Sequence, residues 1–250
     1  MWKYVRFRIK ELCLAVPTGE IRRALEKKLG KKLVLRRMPL GRGWSLKYLA
    51  YSEDQPEPEA LIKVSSRLNE RRLKDTIAQG RYAPPGERFR HEAEVLGSLA
   101  ELGLAPEILV REEYFVARRY SSGRCLQELS PQEAAGLLPR VLDAIDTAWK
   151  TGIFHTDLNA GNVIVTPSGG IHFIDSEVYS DHKSGAPLGE HFRRFCHERL
   201  IHSLVVNGIR GDVVNDVLRE YYGAREDGAV SVERALELMK PETRIVEFPE

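Results

Sequence analysis

The chain has 250 residues, 42% of them hydrophobic and 30% charged, with a formal net charge of +2. That length can bury a core for one large domain or two lobes, and the apolar and charged fractions are those of an ordinary globular protein. No apolar run approaches the roughly 20 residues of a membrane span, and Lys3, Arg6, Arg8 and Lys10 leave no secretory apolar region at the start.

Cys13, Cys125 and Cys196 are far apart and form no CxxC. They suggest no disulfide framework, and a cytoplasmic location follows as an expectation. The small net charge hides an asymmetry. Residues 1–37 hold twelve Lys and Arg against three Glu, a local charge of +9 that leaves −7 for the rest. Such an end can hold an anionic partner, whether phosphorylated glycolipid, membrane surface or RNA. A solvated lysine-rich helix explains it equally well.

Val5, Phe7 and Ile9 alternate with basic residues and predict a half-buried strand. Residues 20–29 predict a short helix, with Ile21, Ala24, Leu25 and Leu29 on one side. Leu33 to Leu35 opens a three-strand pattern, Gly41-Arg42-Gly43-Trp44 turns it, and Ser45 to Tyr51 returns. Ala60 to Val64 is the third strand, after an acidic loop with Pro56 and Pro58. Residues 65–86 read as a polar connection ending in Pro84-Pro85-Gly86. His91 to Leu102 predicts a helix closed by Gly103. Ile108 to Val110 and Tyr114 to Ala117 predict a further strand pair. Ser121-Ser122-Gly123 breaks the pattern as a hinge would. Ser130-Pro131-Gln132-Glu133 is a capping-box start for a helix to about Lys150. Val163 to Val165 and Ile171 to Ile174 flank a Pro-Ser-Gly-Gly turn and predict a hairpin. Two helical segments follow, about 190–206 and 211–222.

The stretch His155-Thr156-Asp157-Leu158-Asn159-Ala160-Gly161-Asn162 stands at the entrance of that hairpin, and Asp175 stands at its exit. The hairpin would bring Asn162 close to Asp175. Two oxygen ligands beside a free carboxylate suit Mg-dependent phosphoryl transfer, because magnesium keeps several waters and needs few protein ligands beside ATP phosphates. Asp157 would orient the acceptor hydroxyl and take its proton. Asn162 and Asp175 would hold Mg2+ on the nucleotide. Lys63, alone in an apolar strand, would reach the phosphates. A helix carboxylate would pair with Lys63, with Glu92 preferred by position and Glu94 as the alternative. Gly41 and Gly43 would let backbone amides approach the phosphates. His155 reads as a structural, hydrogen-bonded histidine.

This order of glycine turn, strand lysine, helix glutamate, H-x-D-x-x-x-x-N and hairpin aspartate resembles the protein-kinase-like superfamily, over roughly Leu33 to Asp175. The catalytic stretch is most similar to the small bacterial lipopolysaccharide-core kinases that phosphorylate Kdo or heptose, and RIO-type kinases are the next resemblance. Thr156 stands where conventional protein kinases have arginine, and Asp175-Ser176-Glu177 replaces Asp-Phe-Gly. No Ala-Pro-Glu follows. Activation-loop control and a typical peptide groove are therefore not implied.

The resemblance implies an α+β, two-lobe fold. Residues 1–120 would form a small antiparallel-sheet N-lobe with the basic extension, and 121–250 a reduced, mostly helical C-lobe. ATP would bind between them near Tyr120 to Gly123. The expected activity is transfer of the γ-phosphoryl from ATP to a hydroxyl of a lipopolysaccharide-core sugar, at the cytoplasmic membrane face. The rivals are a RIO-like protein or RNA kinase and a non-catalytic, pseudokinase-type binding module. His197 and His202 invite a zinc-protease reading, but five residues place them about 140° apart on a helix.

Overall fold

A computed structural model of the chain describes residues 16–39, 45–66, 85–153, 155, 157–176, 190–223 and 230–238. The expected strand over residues 5–9, the turn Gly41 to Trp44, Thr156, Glu177 and most of 65–86 lie outside them. The described residues fall into two compact units. The first holds the residues up to Ala100 together with Pro106–Ser121. The second holds Glu101–Ala105, Ser122–Ser176 and the described residues from 190 onward. The class is α+β, with a five-stranded antiparallel sheet and several helices, consistent with a two-lobe kinase-like fold.

Alternation of side chains organises the first unit. After helix α1 (Thr18–Leu29), strands β1 (Leu33–Arg37), β2 (Leu46–Ser52) and β3 (Ala60–Val64) form an antiparallel meander. β4 (Ile108–Glu112) and β5 (Phe115–Arg119) complete the sheet in the order β1-β2-β3-β5-β4. Ala60, Ile62 and Val64 of β3, with Phe115 and Ala117 of β5, join one core cluster, and Ile21 and Leu25 of α1 belong to it. The residues between them, Lys63 and its register partner Val116, therefore point to the other face. Val116 packs there with Phe89 and Ala93 of helix α2 (Pro85–Glu101).

Helix α2 begins six residues before the expected His91. Pro84-Pro85-Gly86 looks like a breaker. A proline is nevertheless tolerated in the first helical turn, where the missing N–H would have had no intrahelical acceptor. Phe89, 2% exposed, extends the apolar face of the helix toward its start.

The second unit is mostly helical around a small sheet, β6 (Arg124–Cys125), β7 (Val163–Val165) and β8 (Ile171–Phe173). Gly123 enters it at φ +135°, where a Cβ would lie 2.2 Å from the carbonyl oxygen of Val165. Only glycine fits so close a backbone approach. Helix α3 (Pro131–Lys150) opens on the expected capping box: Ser130 Oγ accepts from the Glu133 amide, and the Glu133 carboxylate accepts from the Ser130 amide. Helices α4 (Glu190–Val206), α5 (Gly211–Tyr222) and α6 (Val232–Leu238) follow. The last is short and was not expected, and it is tied to α4 by Arg234 Nε and Glu198 Oε1 at 2.7 Å. No described helix is long and apolar enough to cross a membrane.

A polar knot joins α3, α4 and α5. Asp146 accepts two hydrogen bonds from Arg193, at 2.6 and 2.8 Å, and one from Tyr221 at 3.0 Å. His197 Nε2 lies 3.0 Å from the same carboxylate, and its Nδ1 is hydrogen-bonded to Tyr222. Burial pushes the Asp146 carboxyl up, but the bonds from His197 and Arg193 outweigh it and hold it well below its ordinary value. A carboxyl depressed in the folded state stabilises fully above its unfolded pKa and loses that contribution as pH falls through the folded value. Asp146→Asn should therefore lower stability at neutral pH by about 2 kcal/mol or more. It should also flatten the acid side of the stability curve below about pH 4. Urea midpoints measured across pH on both proteins check this.

Candidate active site

In the first unit the sheet and α2 bring two charges together out of water. Lys63 lies on the α2 side of β3. Phe89, Glu92, Ala93 and Leu96 follow the helical spacing of three and four and form the inward face of α2. Lys63 Nζ donates to Glu92 Oε1 at 2.6 Å, and each side chain is 1% exposed. Glu94, two residues further on, is rotated about 200° from Glu92. It is 57% exposed and accepts from Arg111 at 3.4 Å. Of the two carboxylates weighed from sequence, Glu92 is the one that meets Lys63.

In the second unit the loop after α3 is built by its own side chains. Leu158 and Ala160 are buried and anchor it. Asn159 caps a single 3-10 turn, Ala160–Asn162, by accepting from the Gly161 amide at 2.9 Å. Its amide group also donates to the Asp157 carbonyl at 3.1 Å. Asn162 Nδ2 donates to the Asp157 carbonyl at 2.8 Å and to Asp157 Oδ2 at 3.2 Å. The amide nitrogen is thereby spent on Asp157, and Oδ1 is the atom of Asn162 left to face a cation.

The hairpin then sets Asp175. The Ile174 amide donates to the Asn162 carbonyl at 2.9 Å, so Asp175, the residue after it, starts beside Asn162. Asp175 has φ +64°, and no other non-glycine described residue has positive φ. Aspartate tolerates that region better than most residues. His155 is buried and its Nε2 is 2.9 Å from the Ile174 carbonyl, which ties the loop to the hairpin end.

Asp157 is partly buried and bonded on both oxygens. Oδ1 accepts from Arg199 Nη2 at 2.6 Å. Burial raises its pKa above the ordinary carboxylate value. The Arg199 charge and the Asn162 and Asn159 amides oppose the rise, and the nearby Asp175 carboxylate adds to it. Arg199 was missed in the sequence, where it sits inside a segment noticed only for its histidines. Cys196, one turn before it, is buried, and its thiol is pushed up to about 12 by burial. It is a neutral donor, 3.6 Å from the His155 carbonyl, rather than a nucleophile.

The donor set fits magnesium. One carboxylate, Asp175, and one amide oxygen, Asn162, are hard ligands of the kind Mg2+ takes when phosphates and water complete its shell. Among the described residues no group of three His, Cys, Asp or Glu forms a dedicated metal cage. Gly41 and Gly43 lie outside the described residues.

No protein-family model matches the chain. It is 31% identical over 104 residues to the probable serine/threonine-protein kinase PknB of Corynebacterium glutamicum. The match spans 36% of this chain and only 16% of that kinase. This partial, distant similarity suggests the protein-kinase-like superfamily.

Removing one member of a buried ion pair strands the other charge. Glu92→Leu should destabilise the first unit by about 3–5 kcal/mol, and the Lys63→Met/Glu92→Leu double variant by less than Glu92→Leu alone. A double-mutant cycle in urea would show this. Additive losses would mean the pair is not coupled.

Proposed function

We propose that the chain is an ATP-dependent phosphotransferase with a hydroxyl acceptor. The observation that carries this is the juxtaposition of Asp157, Asn162 and Asp175 on one loop and hairpin of the second unit. The buried Lys63–Glu92 pair of the first unit and the similarity to a serine/threonine kinase support it. Kinases of this superfamily use ATP and Mg2+. Asn162 and Asp175 would hold Mg2+, whose charge would neutralise that of the phosphates. Lys63, held straight by Glu92, would add a positive charge toward the nucleotide. Asp157 would orient the acceptor hydroxyl and take its proton as the acceptor oxygen bonds to the γ-phosphorus and the bond to the ADP oxygen breaks. Burial and its proximity to Asp175 make that carboxylate more basic than an exposed aspartate, while Arg199 favours its charged form. Catalysis of this kind comes mainly from positioning and charge neutralisation.

For the acceptor we favour a sugar of lipopolysaccharide core. The support is the resemblance of the stretch His155 to Asn162 to the small lipopolysaccharide-core kinases. The exposed basic residues Arg22, Arg23, Lys27, Lys28 and Lys32 on and just after α1 suit an anionic partner. They would serve equally at an anionic membrane face or on RNA, as a RIO-like kinase would require.

Incubation with γ-labelled ATP and fractionated cell lipid, protein and RNA separates these acceptors by which fraction gains label. Label in none of them, with Mg-ATP bound, would favour a non-catalytic binding module. Asp157→Ala should abolish transfer while sparing Mg-ATP affinity, and retained turnover would remove Asp157 from its role. Asp175→Asn keeps a residue tolerant of positive φ and deletes the charge. It should leave thermal stability nearly unchanged and weaken Mg-ATP binding by an order of magnitude or more. Unchanged affinity in a fluorescent-nucleotide titration would count against Asp175 as a ligand.

A further inference from the structure

Helix α4 touches the loop 155–160 at three places along one line. Cys196 Sγ lies 3.6 Å from the His155 carbonyl, Arg199 Nη2 lies 2.6 Å from Asp157 Oδ1, and Ser203 Oγ accepts from the Ala160 amide at 3.0 Å. The spacing is three and then four, so the three side chains share one helical face. Arg193 and His197 use another face of the same helix and are held by Asp146 of α3. The helix is thus pinned on one side and grips the loop on the other. Arg199 is 26% exposed and Asp157 32%, so the pair is neither fully dry nor fully solvated. The Arg199 guanidinium also lies 5.8 Å from the Phe195 ring centroid, which limits its rotamers.

We infer that α4 is a three-point clamp on the loop that carries Asp157, and that Arg199 is the positioning residue that fixes the Asp157 carboxylate. Asp157 cannot be oriented by the loop backbone alone, because its side chain has two free torsions. Asn162 holds Oδ2 and Arg199 holds Oδ1, so together they set the plane of the carboxylate. Arg199 need not touch substrate to do this. The purpose of the clamp rests on the phosphotransfer reading above, while the clamp itself rests on the contacts just given.

The test uses the full chain with Arg199→Met, Arg199→Lys and Ser203→Ala. Amide exchange of the peptide covering 155–162 reports the clamp whether or not the chain turns over ATP. It should quicken in Arg199→Met and in Ser203→Ala, by on the order of tenfold or more, with the melting temperature kept close to that of the parent. Hydrolysis of Mg-ATP, with water as the acceptor, reports the purpose. Arg199→Met should lose on the order of 10- to 100-fold in kcat with little change in KM for ATP, and Arg199→Lys should recover part of it. Unchanged loop exchange in both variants overturns the clamp. Faster exchange with unchanged kcat overturns Arg199 as a positioning residue. Faster exchange in the variants, with a parent protein that binds Mg-ATP and never hydrolyses or transfers it, overturns the phosphotransferase reading and the purpose given to Arg199, while the clamp stands. If Arg199→Met fails to fold, Arg199→Lys and Ser203→Ala carry the same two measurements.

Discussion

One backbone hydrogen bond organises the candidate site of the second unit: the Ile174 amide on the Asn162 carbonyl, at 2.9 Å. It closes the hairpin below its last ladder pair, Val163 with Phe173. Residues thirteen apart in the chain thereby become neighbours. Without it, Asn162 and Asp175 would be two polar loop residues, each with ordinary turn preferences. With it, Asn162 and Asp175 start from neighbouring backbone positions, and Asp157 is joined to the Asn162 amide by its own side chain. The His155 ring adds a second tie from the other end of the same loop.

The rest of the fold manages charge taken out of water. The first unit places Lys63 and Glu92 against each other inside the sheet–helix interface, where an ion pair is weak evidence for stability and its loss on one side is costly. The second unit does the same with Asp146, Arg193 and His197 between three helices. In both places the ionic contact adds a directional link to the packing around it. A purely apolar contact there would tolerate sliding, because apolar surfaces are not directional.

Much of this was legible in the sequence because it follows short-range rules. The capping box at Ser130 and Glu133, the apolar strand around Lys63 and the hairpin signals after Asn162 each depend on residues a few positions apart. Position favoured Glu92 over Glu94, and the packing of Phe89 and Ala93 against the sheet puts Glu92 on the inward face with Lys63. The early start of α2 was hidden by prolines whose effect depends on their place in the helix. Arg199 was hidden for a different reason. Periodicity methods look for an apolar stripe, and α4 makes its decisive contacts with Arg193, Cys196, His197, Arg199 and Ser203. The helix does bury an apolar row, Leu200, Ile201 and Leu204, and that row reveals the helix without revealing the polar contacts on its other faces. The short helix α6 lies beyond any repeated pattern and is tied down by Arg234 and Asn215 contacts.

The left-handed backbone at Asp175 also shapes what mutation can do to this chain over generations. Glycine, asparagine and aspartate are the residues that sit there with least strain. Aspartate is the charged member of that set, and a single base change turns an aspartate codon into an asparagine codon. For the activity proposed, a folded but silent descendant therefore lies one nucleotide away. Selection for folding alone would not remove it, so a lineage that keeps aspartate at this position would be keeping it for the charge.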